Sequence, residues 1–203
     1  IKKDKPIIIA GPCSAESENQ VFDVSRTLEK ADVDILRFGV WKPRTSPGSF
    51  EGFGEKALPW LQNLKKEIKT PIAIEVANAQ HVELALKYGI DVLWLGARTT
   101  VNPFTVQEIA DALKGVDIPV LVKNPVNPDL KLWIGAVERL QGSDLKSLGV
   151  IHRGFSSYES KKYRNEPLWQ IPIGFREEMP DIPIIVDPSH ICGNRHMLKA
   201  VSQ

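Results

Sequence analysis

Short, uniformly apolar runs recur along the chain, at Ile7–Ala10, Asp34–Phe38, Ile72–Val76, Val92–Leu95, Val120–Val122, Leu148–Ile151 and Ile184–Val186. Each is too short for a helix and lacks the alternation of a strand with one wet face. Each therefore reads as a strand buried on both sides, as in a parallel sheet. Amphipathic stretches lie between them at Glu18–Lys30, Ala79–Tyr88, Phe104–Lys114, Leu130–Leu140 and Leu168–Glu178. In the first of these, Val21, Val24 and Leu28 fall at helical spacing. Pro71, Pro119 and Pro183 stand just before runs, where proline can end a loop without breaking a ladder. Alternating strands and helices dictate a parallel sheet with helices packed outside it.

Two architectures satisfy that alternation. An open doubly wound sheet concentrates its site at one switch point. Here polar residues follow nearly every run, which fits a (β/α)8 TIM barrel, whose strand C-termini converge on one face. Such a barrel takes about 250 residues, and this chain has 203. The rhythm ends in a helix expected at His196–Gln203, so strand 8 and helix 8 are expected to be absent. Residues 1–203 are expected to form a single, incomplete barrel domain. A start at Ile1 rather than Met is expected of a trimmed polypeptide.

Composition narrows the functional classes. The chain is 42% hydrophobic and 25% charged with a net charge of +1. That is enough apolar material for one sizeable core. It provides no global field for nucleic acid or a membrane surface. No stretch approaches the ~20 apolar residues of a bilayer span, and none has the shape of a secretory signal. Cys13 and Cys192 form no C-x-x-C motif, so no disulfide framework is expected and a reducing cytoplasm fits.

Against that neutral background, Arg37, Lys42, Arg44, Arg98, Lys123 and Arg153 all sit at or just after run ends, and His190 closes the series. A charge at the end of a buried strand is costly without a partner. Several such cations on one barrel rim would form a basin for phosphate or carboxylate. Trp41-Lys42-Pro43-Arg44-Thr45-Ser46 combines two cations and two hydroxyls around a proline turn, enough to cage a phosphate. Gly96-Ala97-Arg98-Thr99-Thr100 has small residues that let backbone approach a ligand. Val122-Lys123-Asn124 and His152-Arg153-Gly154 are weaker taken singly. Gly11-Pro12-Cys13-Ser14 offers a soft metal ligand or simply a small buried thiol. Asp187-Pro188-Ser189-His190 offers an imidazole that Asp187 can orient, or an ordinary loop histidine. Cys13 and His190 could share an ion if oxygen ligands came from elsewhere. Trp60, Trp94, Trp133 and Trp169 most simply fill core or interfaces, while His81, His152 and His196 carry no clear signal.

Taken together, GPCS, ILRFG with WKPRTSPGSFEG, LGART, LVKNP, IHRGFSSYE and DPSH resemble the class I 3-deoxy-D-arabino-heptulosonate 7-phosphate (DAHP) synthases. The resemblance runs from Ile7 to His196. It is nearest the short single-barrel subgroup, in the form fused to chorismate mutase. It implies condensation of phosphoenolpyruvate with erythrose 4-phosphate, the first step of the shikimate pathway. It also implies a divalent metal (Mn2+, Fe2+, Co2+ or Zn2+) held by Cys, His, Glu and Asp. Cys13 and His190 match the first two ligands, and the Glu and Asp belong to the segment around and after strand eight. By position, Arg98 and Arg153 resemble the grip on the phosphoenolpyruvate phosphate. Arg37, Lys42 and Lys123 resemble the groups at its carboxylate and bridging region, with Lys42 placed for proton transfer. Arg44, Thr45 and Ser46 resemble the pocket for the sugar phosphate. Glu75 is a candidate base for the attacking water. The family also implies a homo-oligomer, a chorismate mutase domain after Gln203, and no nucleic acid or membrane partner.

The rival within the same chemistry is 3-deoxy-octulosonate 8-phosphate synthase, whose loop after strand two reads K-A-N-R-S where this chain has K-P-R-T-S. A rival of another class is a non-catalytic phosphate-binding barrel. A polypeptide ending at Gln203 is expected to be inactive and weakly folded, because its sheet edges stay open.

Overall fold

The structure, a computed structural model, describes residues 6–44, 46–158 and 162–203. Strand order follows chain order, β1 through β7. The chain divides into two compact units. The first extends to Val76 and resumes from Gln80 to Trp94. It holds β1 (Ile9–Ala10), α1 (Glu18–Lys30), β2 (Ile35–Phe38), α2 (Leu58–Leu64) and β3 (Ile72–Val76), then most of α3 (Ala79–Lys87) and of β4 (Val92–Leu95). The second comprises Ala77–Ala79 and everything from Leu95. It holds α4 (Ala97–Thr100), α5 (Pro103–Ala112), β5 (Val120–Lys123), α6 (Leu130–Gln141), β6 (Leu148–His152), α7 (Gln170–Glu178), β7 (Ile184–Val186), α8 (Pro188–Cys192) and α9 (Leu198–Ser202).

In the first unit β1 pairs parallel with β2 and β2 with β3, placing Arg37 opposite Ala73. The core is built from Val21 of α1, Leu36 and Phe38 of β2, Leu58, Leu61 and Leu64 of α2, and Ile72 and Ile74 of β3, all at 0% exposure. Ser17 caps α1 by accepting from the Gln20 amide. In the second unit β5 pairs parallel with β6 and β6 with β7. Trp133 of α6 and Phe175 of α7 pack with ring centroids 4.6 Å apart, and the Trp133 indole N–H donates to the Val122 carbonyl at 3.2 Å. Asn102 and Asp129 cap α5 and α6.

These elements follow the apolar runs closely, with informative differences. β1 starts at Ile9 rather than Ile7, and β5 and β6 extend to Lys123 and His152. Lys123 therefore belongs to its strand rather than to the loop after it. The helix α2 went unread because it is one short stretch led in by a 3-10 turn at Gly54–Ala57. The expected helix at His196–Gln203 is a 3-10 turn at Arg195–Met197 followed by α9. Among the described residues, no helix is long and apolar enough to cross a membrane.

His152 shows how tightly β6 is packed. It has no exposed surface, and its ring lies 5.0 Å from that of Trp169 and 5.8 Å from that of Phe155. Burial pushes its pKa down to about 4; a backbone contact at Pro167 opposes this but falls short of a well-formed hydrogen bond. The unfolded chain would bind this proton near pH 6.5, so between that value and about 4 the unfolded state holds more protons. Stability is therefore full above pH 6.5 and is lost as pH falls, by about 3 kcal/mol at most for this group. The urea midpoint is expected to fall more steeply from pH 6.5 to 4 in the wild type than in His152→Leu. Parallel slopes would remove this role.

Candidate functional site

The residues expected from sequence gather in two clusters, one in each unit. In the first unit, Lys42 lies just after the end of β2. Its ammonium donates to the Cys13 carbonyl at 2.6 Å and to Cys13 Sγ at 3.0 Å. Partial burial works to raise the pKa of the Cys13 thiol. The hydrogen bond and charge of Lys42, with a smaller contribution from Arg37, outweigh it and bring the pKa below its ordinary value. Cys13 is thus an exposed thiol poised to be a thiolate, the form that binds metals. It is not the small buried thiol that its sequence context also allowed.

Two close backbone approaches bring these groups together. A Cβ at Gly39 would lie 1.9 Å from the Cys13 carbonyl oxygen, and one at Gly11 would lie 2.0 Å from that of Arg37. Only glycine lets the β1 loop sit this close to β2. Arg37 donates to the Pro12 carbonyl at 3.2 Å, and its guanidinium carbon lies 4.9 Å from the Trp94 ring centroid. Trp94 in turn donates its indole N–H to Glu75 at 3.0 Å. The loop after β2 folds back on itself: the Lys42 amide donates to Glu51, and Arg44 Nε donates to the Phe50 carbonyl at 2.9 Å. Arg44 and Ser46 are exposed. Thr45 lies outside the described residues. Trp41 stacks on His81 with centroids 3.9 Å apart.

In the second unit a single carboxylate organises the cluster. Asp187 caps α8 by accepting from the His190 amide at 3.1 Å, and it accepts from the Ser189 hydroxyl at 2.8 Å. Its other oxygen takes the Lys123 ammonium at 3.2 Å and lies 2.7 Å from His190 Nδ1. The Nδ1 atom is buried but the ring N–H is poorly aimed, so this is a close polar contact rather than a linear hydrogen bond. Burial works to raise the Asp187 pKa, but His190, Lys123 and Ser189 hold it well below the usual carboxylate range. Asp187 supports the charged form of His190, but lost hydration together with Lys123 and Arg153 leaves the imidazole below its ordinary value. The consistent reading is an ionised Asp187 paired to Lys123, with His190 neutral and able to act as a ligand.

Arg153 follows β6 and is placed by Asn124. That fully buried amide accepts from the Arg153 backbone N–H at 2.7 Å and donates to the Pro125 and Gly154 carbonyls at 2.8 Å each. Burial pushes the Arg153 pKa down to about 10; Asp187 opposes this, while Arg98 and Arg164 add to it. Several guanidinium groups within electrostatic range of one another favour an anionic guest. Sequence reasoning missed Asn124 as an anchor, Arg164 as a contributor and Trp94 as a neighbour of Arg37. Asn165 donates to the His190 carbonyl at 2.6 Å and so ties the loop to α8.

Cys13 belongs to the first unit and His190 to the second. Among the described residues, no group of three or more His, Cys, Asp or Glu side chains is placed to hold a metal.

Phospho-2-dehydro-3-deoxyheptonate aldolase of Thermotoga maritima is 29% identical over 196 residues, covering 97% of this chain and 56% of the relative. The crystal structure of that Thermotoga enzyme, described as a DAHP synthase, superposes with a TM-score of 0.82 at 27% identity, over 97% of this chain and 55% of that one. A 2-dehydro-3-deoxyphosphooctonate aldolase of Aromatoleum aromaticum is 32% identical, but over only 98 residues, 44% of this chain and 35% of the relative. The chain thus spans about half the length of the full-length Thermotoga relative it matches. The family model of the DAHP synthetase I family matches residues 1–202, and the chain belongs to that family.

Proposed function

We propose that this chain is the (β/α)8 barrel portion, through strand seven, of an enzyme that condenses phosphoenolpyruvate with erythrose 4-phosphate and water to give DAHP and phosphate. The observation that supports this best is the joint presence of a family match over residues 1–202 and two cation clusters built at strand ends.

Both substrates are phosphorylated and repel one another, so fixed cations must offset their charge before they can meet. Arg98 and Arg153 would hold the phosphoenolpyruvate phosphate, with Arg153 pinned by Asn124. Lys123, Arg37 and Lys42 would hold its carboxylate and bridging oxygen. Arg44, Thr45 and Ser46 would take the sugar phosphate. C3 of phosphoenolpyruvate attacks the aldehyde carbon of erythrose 4-phosphate. Water adds to the cation developing at C2, and the C2–O bond breaks to release phosphate. Lys42 would deliver a proton to the oxygen of the former aldehyde. A divalent metal would supply Lewis-acid polarisation of that aldehyde. Cys13 and His190 suit it as ligands: Cys13 is biased toward thiolate, and His190 is held neutral. The remaining ligands would be oxygen donors beyond Gln203. A cytoplasmic homo-oligomer, with or without a fused chorismate mutase domain, completes the proposal.

The alternative sugar, arabinose 5-phosphate, is favoured only by relatives that match less than two thirds of this chain. Turnover of the full polypeptide should be faster with erythrose 4-phosphate; faster turnover with the pentose phosphate would reverse the assignment. Product-free binding of phosphoenolpyruvate, with Mn2+ present, would instead indicate the non-catalytic barrel.

Two further outcomes are expected. Arg153→Ala should lower kcat/KM for phosphoenolpyruvate about hundredfold, or ~2.7 kcal/mol, with a smaller effect on the KM for erythrose 4-phosphate. A uniform loss for both substrates would point to misfolding instead. Lys42→Met should shift the alkylation of Cys13 by iodoacetamide to higher pH, because the cation that favours the thiolate is gone. An unmoved midpoint would show that Lys42 does not tune the thiol.

A further inference from the structure

Arg37 occupies an interior position of an apolar strand and is held in three directions. Its register partner on β3 is Ala73, a fully buried methyl side chain. Neighbouring strands lie about 4.8 Å apart, so a long side chain from β2 can pass over Ala73 and reach β4. There its guanidinium carbon lies 4.9 Å from the Trp94 ring centroid, while Arg37 Nη1 donates to the Pro12 carbonyl at 3.2 Å. The ring has its own anchor. Trp94 is 3% exposed, and its indole N–H donates at 3.0 Å to Glu75, which shares a face of β3 with Ala73. Carboxylate, indole and guanidinium thus form one chain of contacts across three strands.

We propose that Trp94 is a positioning residue for Arg37, with Glu75 fixing the indole so that its face presets the guanidinium for the phosphoenolpyruvate carboxylate. This rests on the substrate reading above. Trp94 fills the core, as expected, and would have this second role as well. A planar guanidinium against an aromatic face loses orientational freedom before substrate arrives, so less is lost on binding. Arg is suited to this where Lys is not, because only Arg offers a flat face to the ring and a fork to the carboxylate. Ala73 is part of the device, since any larger residue there would block the path of Arg37 to the ring.

The test is calorimetric titration of phosphoenolpyruvate, with the KM for erythrose 4-phosphate measured alongside. Trp94→Leu, which removes the π face, should weaken phosphoenolpyruvate binding about tenfold. Trp94→Phe, which keeps a face but frees Glu75, should weaken it about threefold. The KM for erythrose 4-phosphate should stay within about twofold in both. In an Arg37→Gln background, Trp94→Leu should weaken binding no further, because its effect acts through Arg37. Undiminished binding in Trp94→Leu overturns the inference, and so does a loss that persists in the Arg37→Gln background. If Trp94→Leu fails to fold by circular dichroism, Trp94→Phe decides in the same way. Absence of phosphoenolpyruvate binding by the wild type overturns the substrate reading itself, a result distinct from either.

Discussion

A lysine that is 7% exposed at the last position of a strand needs an anion within reach, and for Lys123 that anion is Asp187. Much of the second unit's chemistry depends on this one carboxylate. It ends β7, caps α8, orders Ser189, and keeps His190 oriented by its backbone and close by its ring. A buried ion pair of this kind is weak evidence for stability, because desolvation offsets much of the attraction. Its value lies in geometry. Asp187 pairs with Lys123 and also acts on Arg153, which lies within electrostatic range of Arg98 and Arg164.

The first unit solves a similar problem without a carboxylate at its centre. Lys42 is held by a carbonyl and a thiol of the same residue, Cys13. The arrangement biases the thiol toward thiolate, and it holds the ammonium beside the sulfur. Both consequences require β1's loop and β2 to sit almost in backbone contact, which the glycines at positions 11 and 39 permit. In each unit, then, cations expected to touch substrate are positioned by neighbours: Asp187 beside Lys123, the thiol and carbonyl of Cys13 beside Lys42, and the Pro12 carbonyl and Trp94 ring beside Arg37.

What could be read in the sequence was the periodic part. Buried parallel strands are apolar on both faces, so Ile72–Val76, Val92–Leu95 and Ile184–Val186 were visible with their limits intact. Because strand ends are where cations become conspicuous, the cation series was visible too. The short connecting helices were not. In α2, Leu58, Leu61 and Leu64 are buried at helical spacing, but the stretch is only two turns long and follows glycine- and proline-containing loops. α8 hid inside a motif read for its chemistry: Asp187-Pro188-Ser189-His190 is also an N-cap, a proline at the first helical position and one turn of helix. His152 was silent because nothing local marks a histidine buried among rings. Asn124, Asn165 and Trp94 were missed for the same reason, since their partners are distant in sequence and only the fold supplies them.

The near-neutral total charge sharpens the choice of guest. The chain carries 26 basic and 25 acidic residues, and surface pairs include Arg26 with Glu67 and Lys65 with Asp91. A surface balanced in this way gives no extended field to track a polyanion. Lys123 and Arg153 lie at strand ends, where backbone and side chains are fixed and partly dry. A short-range, preorganised cluster discriminates by the positions of individual charges rather than by their number. On the proposed reading it would serve small anions that carry a phosphate and a carboxylate a few bonds apart. Positioning groups such as Asn124 and Trp94 would then matter as much as the cations they hold. A guanidinium displaced by an ångström still attracts an anion, but it no longer places the reacting carbon.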